Sequence, residues 1–184
     1  MKRSYIFLAT GFEELEALST ADVMRRAGME VTLVAIHKDR NVTGSHGITV
    51  MADVVMAGVD FSDADWLVFP GGMPGSENLH RDAALAAVLD AHVRAGGRVA
   101  AICAAPALVL AQAGVLRGKN ATCYPGFENY LEDGGASARP GRVVVDGDVI
   151  TANGPSSAIA FGLAIVGHTL GEEAAKKVAD GMLV

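Results

Sequence analysis

Short apolar runs and helically spaced segments take turns along the chain. Ser4–Ala9 is a mostly apolar stretch of strand length, and Thr10-Gly11 is the turn after it. From Glu13 to Ala27 the apolar residues Leu15, Leu18, Val23 and Ala27 are spaced for a helix, which Gly28 ends. Glu30–Ile36 is a strand rich in β-branched residues. Val42–Ala52 contains Gly44 and Gly47 and partly alternates, which predicts a small antiparallel excursion. Trp66–Phe69 is a wholly apolar strand stopped by Pro70-Gly71-Gly72. A helix over Ala83–Arg94 is closed by Gly96-Gly97, a strand covers Arg98–Ile102, and a helix covers Ala105–Ala113. Ala121–Cys123 reads as a further strand. A hairpin follows around Gly147, with arms Arg142–Asp146 and Asp148–Thr151, and the last helices are Ser156–Leu170 and Glu172–Met182.

Strands that are apolar throughout are buried on both faces, as in a parallel sheet covered by helices. The pattern therefore predicts one α/β domain over residues 1–184, a flavodoxin-like three-layer αβα sandwich with a mainly parallel sheet and right-handed crossovers. Ligands of such folds bind outside the carboxyl ends of the strands. That singles out the strand ends before Gly11, Gly71 and Cys103.

Composition narrows the classes. The 184 residues are 51% hydrophobic and 20% charged, which excludes a disordered chain. A net charge of −6 argues against a nucleic-acid partner. Val99–Leu116 and Val149–Gly171 approach membrane-spanning length. They are broken by Pro106 and Gln112 and by Asn153–Ser157, so each reads as a buried strand, a turn and a buried helix. Two cysteines cannot form a disulfide framework, and the five histidines show no metal spacing. No cofactor, metal or membrane partner is expected. Without a secretory signal at the start, the expected location is the cytoplasm.

Cys103 is the sharpest candidate. It stands where Val99–Ile102 runs into Ala104-Ala105-Pro106, and such small neighbours permit the strained turn of a nucleophile elbow. The positive end of the following helix favours a thiolate there; a small buried core cysteine is the competing reading. Gly71-Gly72 could bring backbone N–H groups close to an oxyanion, or form an ordinary turn. Of Glu13, Glu14 and Glu16, spacing predicts that most face water at a helix N-terminus and leaves open which one meets Cys103. Cys123 is a resolving thiol or a core residue. Asp22 and Arg26 are placed to pair on a helix surface, and His80 and His92 are expected in solvent.

These residues resemble a known family. Ala100–Pro106, Phe69–Gly72 and Glu13–Glu16 are similar to the DJ-1/PfpI superfamily, which is related to class I glutamine amidotransferases. Ala21–Gly28 and Gly154–Ser157 are similar to its DJ-1 branch, the parkinsonism-associated deglycase group. The resemblance covers nearly the whole chain. It implies Cys103 as nucleophile, Glu16 as a protonated acid hydrogen-bonded to it, and the N–H groups of Gly72 and Ala104 as oxyanion donors. It also implies a homodimer with the first helix and the small hairpin near the interface. The implied activities are glutathione-independent glyoxalase or deglycase chemistry on reactive aldehydes or glycated substrates. The implied alternatives are an oxidative-stress sensor or chaperone acting through Cys103 oxidation, and, less favoured, a peptidase or amidase.

Departures from the family pattern matter too. Ala104 follows the cysteine where protease-like members carry His. Tyr124, before Pro125, stands where the DJ-1 branch commonly has His, and a phenol is a poor base at neutral pH. His46 falls near a position where members often carry Arg, and is expected to reach the partner subunit's Cys103 pocket. Gly71, Tyr124, His46 and Pro155 are therefore secondary site candidates.

Overall fold

The computed structural model describes residues 3–184. Its central sheet has seven strands in the order β10-β11-β7-β6-β1-β2-β5. These are β1 (Arg3–Leu8), β2 (Val31–Ala35), β5 (Val54–Val55), β6 (Ala64–Phe69), β7 (Arg98–Ile102), β10 (Val143–Asp146) and β11 (Val149–Ala152). All neighbours run parallel except β10, which pairs antiparallel with β11 around the turn at Gly147. The expected excursion is a two-stranded hairpin, β3 (Asn41–Thr43) with β4 (Thr49–Met51).

Both faces of the sheet are covered, as continuous apolar strands require. Ile6, Leu8, Trp66, Val68, Ala100 and Ile102 point into one core, shared with α1 (Glu14–Arg26), α5 (Ala158–Leu170) and α6 (Glu172–Met182). Their neighbours Tyr5, Phe7, Leu67, Phe69, Val99 and Ala101 point into the other, shared with α2 (Gly75–Arg81), α3 (Ala83–Arg94) and a buried π-helix, Pro106–Ala111. Each such large side chain contributes roughly 1.5–3 kcal/mol by leaving water. The three-layer, flavodoxin-like α/β sandwich is thus the observed fold. Gly162 in α5 lets that helix close on α1, since a Cβ there would lie 2.9 Å from Val23 Cβ.

Several local expectations change. The helix expected over Ala105–Ala113 is the shorter π-helix. The expected strand Ala121–Cys123 contracts to β8 (Asn120–Ala121), which pairs with β9 (Ser137–Ala138) outside the main sheet. Helices α2 and α4 (Glu128–Asp133), too short to show an apolar stripe, were not signalled by periodicity. Leu15 and Leu18 are 54% and 37% exposed, because α1 turns Ala17, Thr20, Ala21, Val23 and Met24 inward instead. His92 is buried rather than solvated, and its Nε2–H donates to the Arg98 carbonyl at 2.9 Å. Asp22 and Arg26 do pair, at 2.6 Å.

Candidate functional site

The sheet order changes direction between β1 and β6, the switch point where open α/β sheets bind ligands. The segments after β1, β6 and β7 deliver Glu16, Gly71-Gly72 and Cys103 to that crevice.

Cys103 follows directly on β7 with φ of 66°, a left-handed conformation that a non-glycine residue adopts only where its surroundings hold it. Two backbone bonds do so. Its N–H donates to the Ala152 carbonyl at 2.9 Å, and its carbonyl accepts the Tyr124 N–H at 2.8 Å. Pro106 opens the π-helix behind it, as expected of a proline at a first helical turn. The thiol is buried, with 8% exposure. The N–H groups of Gly72 and Ala104 are directed at its sulfur and draw its pKa down.

The three acidic residues expected mostly in water are all buried, and each has a separate task. Glu13 caps α1, its Oε2 accepting the Glu16 N–H at 2.6 Å. Glu14 reaches the β3–β4 hairpin, where Oε1 accepts the His46 N–H at 2.8 Å and Oε2 meets His46 Nδ1 at 2.7 Å. Burial works to raise the Glu14 carboxyl, but the bonds from the His46 ring and from backbone N–H groups hold it at about 2. The same contact raises the His46 imidazole above its usual range.

Glu16 is fully buried and turned toward Cys103. Its Oε2 accepts the Gly71 N–H at 2.7 Å, while Oε1 has no hydrogen-bond partner. A Cβ at Gly71 would lie 2.7 Å from Glu16 Oε2 and 3.0 Å from Cys103 Sγ, so only glycine fits in the wedge between acid and thiol. Burial pushes the Glu16 carboxyl up to about 7, against the Gly71 bond and the thiol, which pull it down. Burial, and then the charge and hydrogen bonding of Glu16, push the Cys103 thiol up to about 12. The pair has room for one negative charge. With the proton on Glu16, its charge no longer opposes the thiolate, and only burial opposes the two N–H donors.

The secondary candidates divide. Tyr124 is half-exposed, tied to Cys103 through its backbone, with its ring against Gly154 beside the half-buried Pro155. His46 touches Glu14 and Ser45 and lies 3.8 Å from Glu13. Cys123 belongs to the core on the other side of the sheet from Cys103 and lines a separate cavity with Glu128 and Arg139. Burial, then Glu128, pushes its thiol up to about 12, the behaviour of a core cysteine.

Among the described residues, Glu13, Glu14 and His46 are a set whose ligand atoms lie within 4.8 Å of one another. The Nδ1–Oε2 contact at 2.7 Å closes that set as a hydrogen bond. No helix of the described residues is long and apolar enough to cross a membrane.

The protein dj-1beta of Drosophila melanogaster is 37% identical over 183 residues, which covers 100% of this chain and 97% of that one. The glutathione-independent glyoxalase DJR-1.2 of Caenorhabditis elegans is 33% identical over 161 residues, covering 88% of this chain and 84% of that one. The chain spans about half the length of DJ-1 homolog A of Arabidopsis thaliana, covering 47% of it at 37% identity. Among solved structures, oxidized DJ-1 of Toxoplasma gondii superposes with a TM-score of 0.94 at 38% identity, covering 100% of this chain and 98% of that one. The family model described as DJ-1/PfpI matches residues 2–168. With that match over most of its length and relatives 37% identical over the whole of it, the chain belongs to the DJ-1/PfpI family.

Proposed function

We propose that the protein converts small 2-oxoaldehydes of the methylglyoxal class to hydroxy acids without glutathione, with Cys103 as nucleophile. The observation that carries this reading is the buried Glu16 carboxyl beside Cys103, with its Oε1 unpartnered, next to a sulfur that has two N–H donors. A proton kept on the Glu16 carboxyl and shared with the thiol leaves the charge on sulfur. The thiolate attacks the aldehyde carbon, forming a C–S bond, and the carbonyl oxygen takes the proton of Glu16. The N–H groups of Gly72 and Ala104, which support the thiolate, share the charge that develops on that oxygen before its proton arrives. Glu16, now ionised, removes the proton from the former aldehyde carbon to give an enediol, the hydroxyl proton there passing to the neighbouring carbonyl oxygen, and then returns its proton to the adjacent carbon, leaving the 2-hydroxy thioester. Water hydrolyses the thioester to the hydroxy acid and frees the thiol. The likeness to a glutathione-independent glyoxalase supports this choice over deglycase activity on glycated substrates.

One observation favours a second reading. Tyr124, rather than His, stands beside the elbow, so turnover lacks a strong base outside Glu16. In that case the thiolate serves as an oxidative-stress sensor, reducing peroxide to water while it becomes sulfenate and then sulfinate. Either role fits a cytoplasmic setting, in which the two free cysteines stay unpaired.

Lactate formation from methylglyoxal, with Cys103→Ser run in parallel, decides between them. Turnover that disappears in the variant is the expected result. Two well-folded proteins without turnover would remove the enzyme reading and leave the sensor.

A further inference from the structure

The crevice at Cys103 lies at the carboxyl edge of the sheet. At the opposite edge, where β6 and β7 begin, is a cavity of about 770 Å³ that shares no residue with it. Its size lies within the range of small-molecule sites.

The floor is rigid and its charge is spent. Arg98 binds Asp65 through Nε at 3.1 Å and Nη2 at 2.5 Å, donates from Nη1 to the His168 carbonyl, and lies 4.8 Å from the Trp66 ring centre. The walls are apolar, with Val88 and Ala91 of α3 facing the loop that carries Phe61. The two ends are acidic. Asp60 accepts from the N–H and the side chain of Ser62, no hydrogen bond reaches the Asp148 side chain, and neither has a cationic partner among the described residues.

Topology sets their separation. Asp148 belongs to the turn into β11, and the Asp60 carbonyl accepts the Tyr5 hydroxyl from β1 at 3.5 Å. Strands β7 and β6 lie between, so the ends are about 14 Å apart at the usual strand spacing. Two acidic ends, joined by apolar walls over a floor in which Arg98 is paired with Asp65 and His92 is turned to the Arg98 carbonyl, complement one kind of molecule. We propose that this cavity binds a linear diammonium ligand, two protonated amines joined by a hydrocarbon chain that lies against Phe61, Val88 and Ala91. The net charge of −6 assists its approach. The proposal is independent of the chemistry at Cys103.

Titration of the full chain with 1,8-diaminooctane, followed by backbone amide NMR, tests it. Saturable shifts are expected at Ala91, Gly96, Gly97 and Asp148, with octylamine binding more weakly and octanoate not at all. Asp60→Asn with Asp148→Asn should weaken the diamine about tenfold. Ala91→Trp should fill the cavity and remove binding while thermal unfolding stays cooperative. Shifts scattered over the surface and unchanged in the double variant would reduce the effect to general attraction by a net-negative protein and overturn the site. Equal affinity for octylamine would overturn the two-headed ligand, and no saturable shift would overturn the cavity as a binding site altogether.

Discussion

A carboxyl group shut away from water, with one backbone donor, holds its proton far longer than its solvated counterpart. For Glu16 the ordinary value of 4.5 becomes about 7 in the fold. The protonated form is the one the fold prefers. Its contribution is therefore intact below pH 4.5 and is lost as pH rises toward 7. Glu16→Gln, which keeps a hydrogen-bond donor and cannot ionise, should gain stability relative to wild type between pH 5 and pH 8, read from urea midpoints. A gap of the same size at both values would mean that the carboxyl is not the proton's home. This residue also marks the reach of sequence reasoning. Cys103 announced itself through a strand running into small residues. Glu16 stood beside two look-alikes, and only the family resemblance told them apart, because the Gly71 wedge that selects it is 55 residues away. His92 was misread for a similar reason: its pocket is made by Gly97, where a Cβ would strike the imidazole ring, and by the start of β7.

Elements were legible in proportion to their length and periodicity. Every strand from β1 to β7 in the main sheet except the two-residue β5 had a clear apolar signature, whereas α2 and α4 carry too few residues for a stripe to form. The hairpin β3–β4 was visible as an excursion, but what docks it was not. Glu14 holds it by accepting the His46 and Ile48 N–H groups, and Gly44 makes room for the carboxylate. Glu14→Ala should cost about 1–2 kcal/mol, the loss of hydrogen bonds from partly buried donors to a charged acceptor. The carboxyl lies at about 2 in the fold, so its contribution is present above pH 4.5 and fades as pH falls toward 2. Equal urea midpoints for Glu14→Ala and wild type at pH 7 would show that the hairpin is held by other bonds.

On the scale of the whole molecule, the outward face of α1 is the part the helical spacing misassigned. Leu15 and Leu18 are exposed there, and Ile48 and Met51 are exposed on the neighbouring hairpin. Large apolar side chains gathered on one exposed face mark a contact surface. A second copy is the occupant we propose, in keeping with the homodimer that the family resemblance implies. Light scattering should give twice 18.9 kDa for wild type. Leu15→Glu with Leu18→Glu should give a folded monomer. A wild-type monomer at micromolar concentration would count against this face. The sandwich itself was readable because both faces of each strand are apolar; this surface was not, because a leucine at helical spacing looks the same whether its cover is the same chain or another.

The first turn of α1 carries one further consequence. Glu13, Glu14 and Glu16 serve a helix cap, a hairpin and a thiol within four consecutive positions, each in its own direction. One residue inserted between Glu14 and Glu16 would rotate Glu16 by about 100° relative to Glu13 and Glu14, and the three connections could no longer be kept together. Length variation between Glu13 and Ala17 should thus be barred, while the solvent-facing turn at Gly147 can lengthen freely. A library of random single-codon insertions would show a gap at the first segment and survivors at the second.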